Sequence, residues 1–189
     1  MYEAAPGAED IHTFAHPKYT TEGSYNPATN TIEYGNPSDF DASKGLMLHE
    51  IQHKIQEDEN WAKGGSSREF YNQLLKEKED IFNHINKLND EMSVLAKNPQ
   101  MTPEQRTAYD FLMNARQELV PEAQKYTDPV NLMQMAQDKY KSLAGEAEAR
   151  LTQRRMNLTP EERLQYFPYA NDKANYGLDM PFESLLVKK

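Results

Sequence analysis

The chain has no cysteine among its 189 residues. Disulfides and thiolate metal sites are excluded, so any metal must be held by nitrogen and oxygen donors. Basic clusters are also scarce. Lysine and arginine number 21 against 30 acidic residues, for a net charge of -9. No basic run is longer than the pair Arg154-Arg155, so a nucleic-acid partner, which needs a local basic patch, is not expected. No stretch approaches the roughly 20 apolar residues of a membrane span, so no membrane partner is expected either. The opening "MYEAAPGAEDIHTF" lacks the basic region and apolar run of a signal peptide. With the missing cysteines, this gives the expectation of a cytoplasmic protein. The abrupt start also suits a piece of a longer polypeptide.

Hydrophobic residues make up only 38% of the chain and charged residues 27%. Much of the polarity must lie on exposed helix surface around one compact domain. Four parts follow one another. Residues 1–40 are rich in Pro, Gly, Thr, Tyr and Asn. There "GSYNPATNTIEYG" reads as a hairpin, with strands at Gly23–Asn26 and Thr31–Tyr34. Pro17 and Pro37 break any helix nearby. The second part is a helix capped at Asp41 or Ser43, running to about Asn60 and stopping before Gly64-Gly65.

In the third part Phe70, Leu74, Ile81, Ile85, Leu88, Met92 and Leu95 follow 3-and-4 spacing. After Pro99, the run Thr102-Pro103-Glu104-Gln105 supplies an N-cap, a proline at N1 and a capping-box partner. The next helix carries Ala108, Phe111, Leu112, Ala115 and Leu119. The expectation is an antiparallel helical hairpin at about 68–120, read as a structural arm, with a protein-binding arm as the alternative. The fourth part opens at Asp128-Pro129. One long helix to about Asn157 is expected, with Val130, Met133, Ala136, Tyr140, Leu143, Ala147 and Leu151 on its apolar face. A short helix follows Thr159-Pro160, and the tail from Phe167 reads as coil able to wrap the body.

The stretch "LMLHEIQHKIQ", Leu46 to Gln56, carries the chemistry. His49 and His53 are four apart, so on a helix both imidazoles leave the same face. With Glu50 they form H-E-x-x-H. Two neutral imidazoles at this spacing can share one Zn²⁺, and the adjacent carboxylate can act as general base toward a zinc-bound water. Leu46, Met47, Leu48, Ile51 and Ile55 embed the motif in an apolar helix. Packing alone explains such a constellation poorly, because buried imidazoles and carboxylates need partners.

A catalytic zinc site needs a third protein ligand. The extended motif with a third histidine is absent, since Gln56 and Glu59 occupy its glycine and histidine positions. His84 lies on the coiled-coil-like stretch, and His12 and His16 lie in the irregular N-terminal segment. "SLAGEAEARLTQRR", Ser142 to Arg155, is the better source. Its small residues allow another helix to approach. Glu146 and Glu148 lie about 200° apart round that helix, so only one can face the metal.

"HEIQH" followed by "GEAEAR" resembles the gluzincin class of zincin metallopeptidases. More closely, "LHEIQHKIQ…GGS…LAGEAEAR…TPEER" is similar to the zincin-like domains of phage and prophage polyvalent proteins. The resemblance covers about residues 20–65 and 135–170. It implies an α+β, mostly helical zincin-like domain spanning 1–189, with a small N-terminal β-hairpin or sheet and the hairpin at about 68–120 as an insertion. It implies a zinc-dependent peptidase acting on a protein or peptide, with Glu146 completing His49 and His53 as metal ligands and Glu50 as base. Arg150 departs from the usual acidic or amide residue at its position, so Glu148 is left to support a zinc histidine or to be the ligand itself. The resemblance also implies an edge strand that binds substrate backbone. The oxyanion donor is open among Tyr25, Tyr34, Tyr169, Tyr176, His12 and His16. A phage-encoded protein acting in a bacterial host, or carried in a virion, is implied as well. The alternative is a catalytically silent zinc-binding or helical interaction module acting through the arm.

Overall fold

The computed structural model describes residues 10–16, 22–35, 39–170 and 172–187. Pro17 and Pro37 lie outside this set. The chain is mostly helical with a small three-stranded sheet, and it divides into two compact units. One unit joins residues 1–65 to 140–189, and the other is 66–139.

In the first unit, β1 (His12–His16), β2 (Gly23–Asn26) and β3 (Thr31–Gly35) form a sheet of order β1-β3-β2. The β2–β3 hairpin is antiparallel, whereas β1, expected to be irregular, pairs in parallel with β3. Side chains alternate across a sheet. The register therefore sets Thr13, Ala15, Gly23, Tyr25, Ile32 and Tyr34 on one face and His12, Phe14, His16 and Glu33 on the other. Ile32 is fully buried while Phe14 is 60% exposed. The Ile32 face is the one that meets α1 (Phe40–Asp58), because Gly23 packs directly on Glu50.

The cap of α1 is Asp39, whose carboxylate accepts from the Asp41 N–H at 2.8 Å, rather than Asp41 or Ser43. The helix stops before the Gly64-Gly65 pair, as expected. It ends at Asp58, with Asn60 in the left-handed region at φ 52°. Asn60 N–H reaches Glu57 O and Trp61 N–H reaches Gln56 O at 2.9 Å, the paired bonds of a Schellman stop.

The expected single helix from Pro129 to Asn157 is broken into α4 (Pro129–Lys141) and α5 (Ala144–Arg154). Leu143 between them is extended, at φ -60° and ψ 132°. Its neighbours bond to the tail instead of continuing the helix. Leu186 N–H donates to Ser142 O at 2.7 Å, and Ala144 N–H donates to Leu186 O at 2.8 Å. Leu178 closes over Ala147 and Leu151, so the tail packs as part of the core. Its short 3-10 turns lie at Lys173–Asn175 and Phe182–Ser184. The short helix after Thr159 forms as α6 (Pro160–Gln165), with the capping box intact.

In the second unit, α2 (Ser67–Ala96) and α3 (Pro103–Lys125) pack along each other, with the Thr102 capping box as expected. Leu74, Tyr126, Leu132 and Ala136 form its buried core, so α4 contributes a third helix to what read as a two-helix arm. The phase of two stripes differs from the expectation. Phe111, Val130 and Met133 are 72%, 73% and 64% exposed, while Leu132, outside the expected stripe, points inward with Ala136, which was on it.

Candidate metal centre

Helix α1 buries its polar side chains. Glu50, Lys54 and Gln56 are buried, whereas Leu46, Met47, Leu48, Ile51 and Ile55 are half-buried. Burying charged and amide groups is costly unless they are partnered. Here Glu50 is partnered from β2, Lys54 by Asp58 on the same helix and Gln56 from α5.

The break before α5 sets Glu146 in the first turn of a new helix, where the macrodipole favours a carboxylate. Glu146 is fully enclosed. Its Oε2 lies 3.4 Å from His49 Nε2 and its Oε1 lies 3.3 Å from His53 Nε2. His49, His53 and Glu146 each offer one ligand atom within 4.8 Å of the others, a group that could hold a metal ion. The imidazole rings meet edge to face, with centroids 4.9 Å apart. Glu146 Oε2 is buried without a hydrogen-bond partner. Oε1 accepts the Gly65 N–H at 3.1 Å.

Two glycines make this enclosure possible. A Cβ on Gly64 would press on Glu146 Oε1 and lie 2.6 Å from His53 Cε1. A Cβ on Gly145 would lie 2.6 Å from Ala62 O and from Gly64 N. The thin patch on α5 therefore admits the 62–64 backbone as well as helix α1. Gly64, beyond the end of the helix, lets the chain lie directly over two of the three candidate ligands.

Electrostatics bind the group together. Burial raises the Glu146 pKa, but the facing imidazoles of His49 and His53 overcome it and hold the carboxyl well below the usual carboxylate range. Burial works against charge on His53, yet Glu146 and Gln56 leave its pKa above the ordinary value. Glu50 goes the other way. Burial raises its pKa, and His49 and His53 only partly offset this. Its carboxylate lies against β2, accepting from the Tyr25 backbone N–H.

Glu148 points away from the ligand group and accepts from Gln56 Nε2 at 3.2 Å. Arg150 is turned to Asp179, with bonds of 2.8 and 3.2 Å, so its charge is matched away from the site. Among the open oxyanion candidates, His12 and His16 lie on the sheet face turned from α1. The Tyr25 hydroxyl donates to Asn30 Oδ1 at 3.2 Å. Tyr176 rests on Tyr166, and Tyr169 lies near Glu148. The tyrosine beside the ligand group is Tyr140. Burial, followed by the charge of Glu146, raises its pKa strongly. Sequence reading placed Tyr140 in an apolar stripe, and only the helix break turns it to this use. Gln56 and Gly64 were likewise missed, since their roles depend on contacts with a segment some 90 residues away.

No family model matches the chain, and neither the curated proteins nor the solved structures compared with it gave a match.

Proposed function

We propose that the chain is a zinc-dependent metallopeptidase in which His49, His53 and Glu146 hold Zn²⁺ and Glu50 is the general base. The observation that carries this reading is the convergence of three ligand atoms within 4.8 Å, with a second buried carboxylate on the same helix. The donor set fits zinc. Two imidazoles and one carboxylate are a known catalytic zinc set that leaves a fourth position open. The separations of 3.3 and 3.4 Å between ring nitrogens and carboxylate oxygens are long for charge-assisted hydrogen bonds. A cation between the imidazoles and the carboxylate would account for gaps of this size. The unpartnered Glu146 Oε2 fits as well, since a buried carboxylate oxygen calls for a cation or a donor.

Zinc held there would supply Lewis acidity, bringing the pKa of water to about 7 and polarising a carbonyl. The chain's own residues would do the rest. Glu50 takes a proton from the attacking water as the carbon–oxygen bond forms, and returns it to the amide nitrogen as the carbon–nitrogen bond breaks. Its raised pKa makes it a better proton acceptor than an ordinary carboxylate. Among the described strands β2 is an edge strand beside Glu50, the position at which an extended peptide would add.

The alternative is an inactive metal-binding module acting through its helical arm. It draws on Val94 and Phe111, exposed by 66% and 72% in the second unit. Elemental analysis should find one zinc per chain, lost in His49→Ala and His53→Ala. Glu50→Gln should keep the zinc and lose about 10²–10⁴-fold in peptide hydrolysis. A chain that takes up no zinc sinks both metal readings. Equal cleavage by Glu50→Gln removes Glu50 from the mechanism, and a zinc-loaded wild type that cleaves no peptide in a diverse library leaves the inactive module.

A further inference from the structure

We infer that Gln56 is a positioning residue whose amide presets His53 with its proton on Nδ1 and Nε2 bare, and that Glu148 helps hold the amide that way round. The consequence for metal rests on the reading above, whereas the geometry does not.

Gln56 sits in the last turn of α1, three residues after His53, and its side chain is 1% exposed. Its backbone is fixed by the Schellman stop, since its carbonyl takes the Trp61 N–H. Its Nε2 donates to Gly145 O at 2.9 Å and to Glu148 Oε2 at 3.2 Å. A backbone carbonyl and a carboxylate accept hydrogen bonds and do not donate them. Turning the amide over would set its oxygen against both acceptors in a closed space, so the NH₂ must face them. Oε1 is then left facing His53 Nδ1 at 2.9 Å. An amide oxygen only accepts, so Nδ1 carries the proton. In the neutral ring that leaves the lone pair on Nε2, the atom 3.3 Å from Glu146 Oε1. Ring rotation and the Nδ1 proton are fixed before any metal arrives. Outer partners of this kind orient the histidine ligands of metal sites. Here the partner is an amide on the histidine's own helix, steadied from α5, the element that brings Glu146.

The test is the tautomer of His53 in the metal-free protein, read by long-range ¹H–¹⁵N correlation where the ring is neutral. Wild type should show His53 as the Nδ1–H form, opposite to the Nε2–H preference of a free histidine side chain. Gln56→Leu should lose that form, and its zinc affinity in chelator competition should fall about 10–100-fold. Gln56→Glu keeps an acceptor toward Nδ1 but sets its second oxygen against Gly145 O and Glu148, so it too should weaken zinc. Adding Glu148→Gln restores a donor to that oxygen and should recover part of the loss, which a space-filling role would not do. His53 in the Nε2–H form in wild type, or the Nδ1–H form kept in Gln56→Leu, overturns the proposal. Wild type with the Nδ1–H form but no zinc uptake leaves the positioning role standing and removes the metal reading instead.

Discussion

A methyl group on Gly64 would press on Glu146 Oε1 and lie 2.6 Å from His53 Cε1. The glycine is required by space and not by backbone angle. Gly64→Ala should therefore lose metal binding while the chain stays folded, because the loop can shift outward at the expense of the ligand group. Zinc titration beside circular dichroism would check this, and unchanged zinc affinity would show that the loop has more room than the atoms suggest. The two glutamates of α5 divide in the same way. Glu146 is fully enclosed between the imidazoles, whereas Glu148 touches Gln56. Glu146→Ala should abolish zinc binding, since it removes the only anion among the candidate ligands. Glu148→Ala should weaken binding by about tenfold, acting through Gln56 and His53. Chelator competition on both variants decides it, and the reverse order would exchange their assignments. The His49 and His53 pair is legible in sequence because helical spacing is local. The choice between Glu146 and Glu148 is not, because it depends on where α5 begins.

That starting point is an element-scale event. Ser142 and Gly145 are weak helix formers, and these were the only hints in sequence that the helix from Pro129 would break. The break is made by the tail, whose Leu186 takes the backbone groups of Ser142 and Ala144. Asp179 fastens the same tail to α5 by accepting from Arg150 at 2.8 Å and from Arg154 at 2.9 Å. Burial opposes charge on Asp179, but the two guanidiniums hold its pKa below the ordinary value. A carboxylate depressed in the folded state contributes stability above its unfolded pKa of about 3.9, and that contribution is lost as pH falls through the folded value. Asp179→Asn should cost about 3 kcal/mol at neutral pH, as expected when one partner of a largely buried ion cluster is removed. The gap between variant and wild type should narrow below about pH 4. Urea unfolding at pH 7 and pH 3 measures both numbers, and a gap that stays constant would mean that Asp179 acts by packing and not by charge.

At the scale of the whole molecule, every residue of the candidate centre comes from 1–65 and 140–189. Gln56, Gly64, Tyr140 and Glu148 belong to the same unit. The long helices were legible because periodic stripes and capping boxes are strong local signals. The helix from Pro129 was legible too, but its packing with the arm was not, because the cluster of Leu74, Tyr126, Leu132 and Ala136 joins residues far apart in sequence. Each unit has a buried cluster of its own. Replacing residues 66–139 by a flexible Gly/Ser linker of about 12 residues should therefore leave a folded chain that still binds one zinc. Such a linker spans roughly 20 Å on average and can stretch further, so it imposes little strain on the Gly65 and Tyr140 ends. Zinc affinity should stay within about tenfold of wild type, the loss arising where Tyr140, beside Glu146, loses the helix that leads into it. Chelator competition and thermal melts with and without zinc would read the outcome. A folded but metal-free product would show that the inserted helices hold α5 in place, and the centre would then belong to the whole chain.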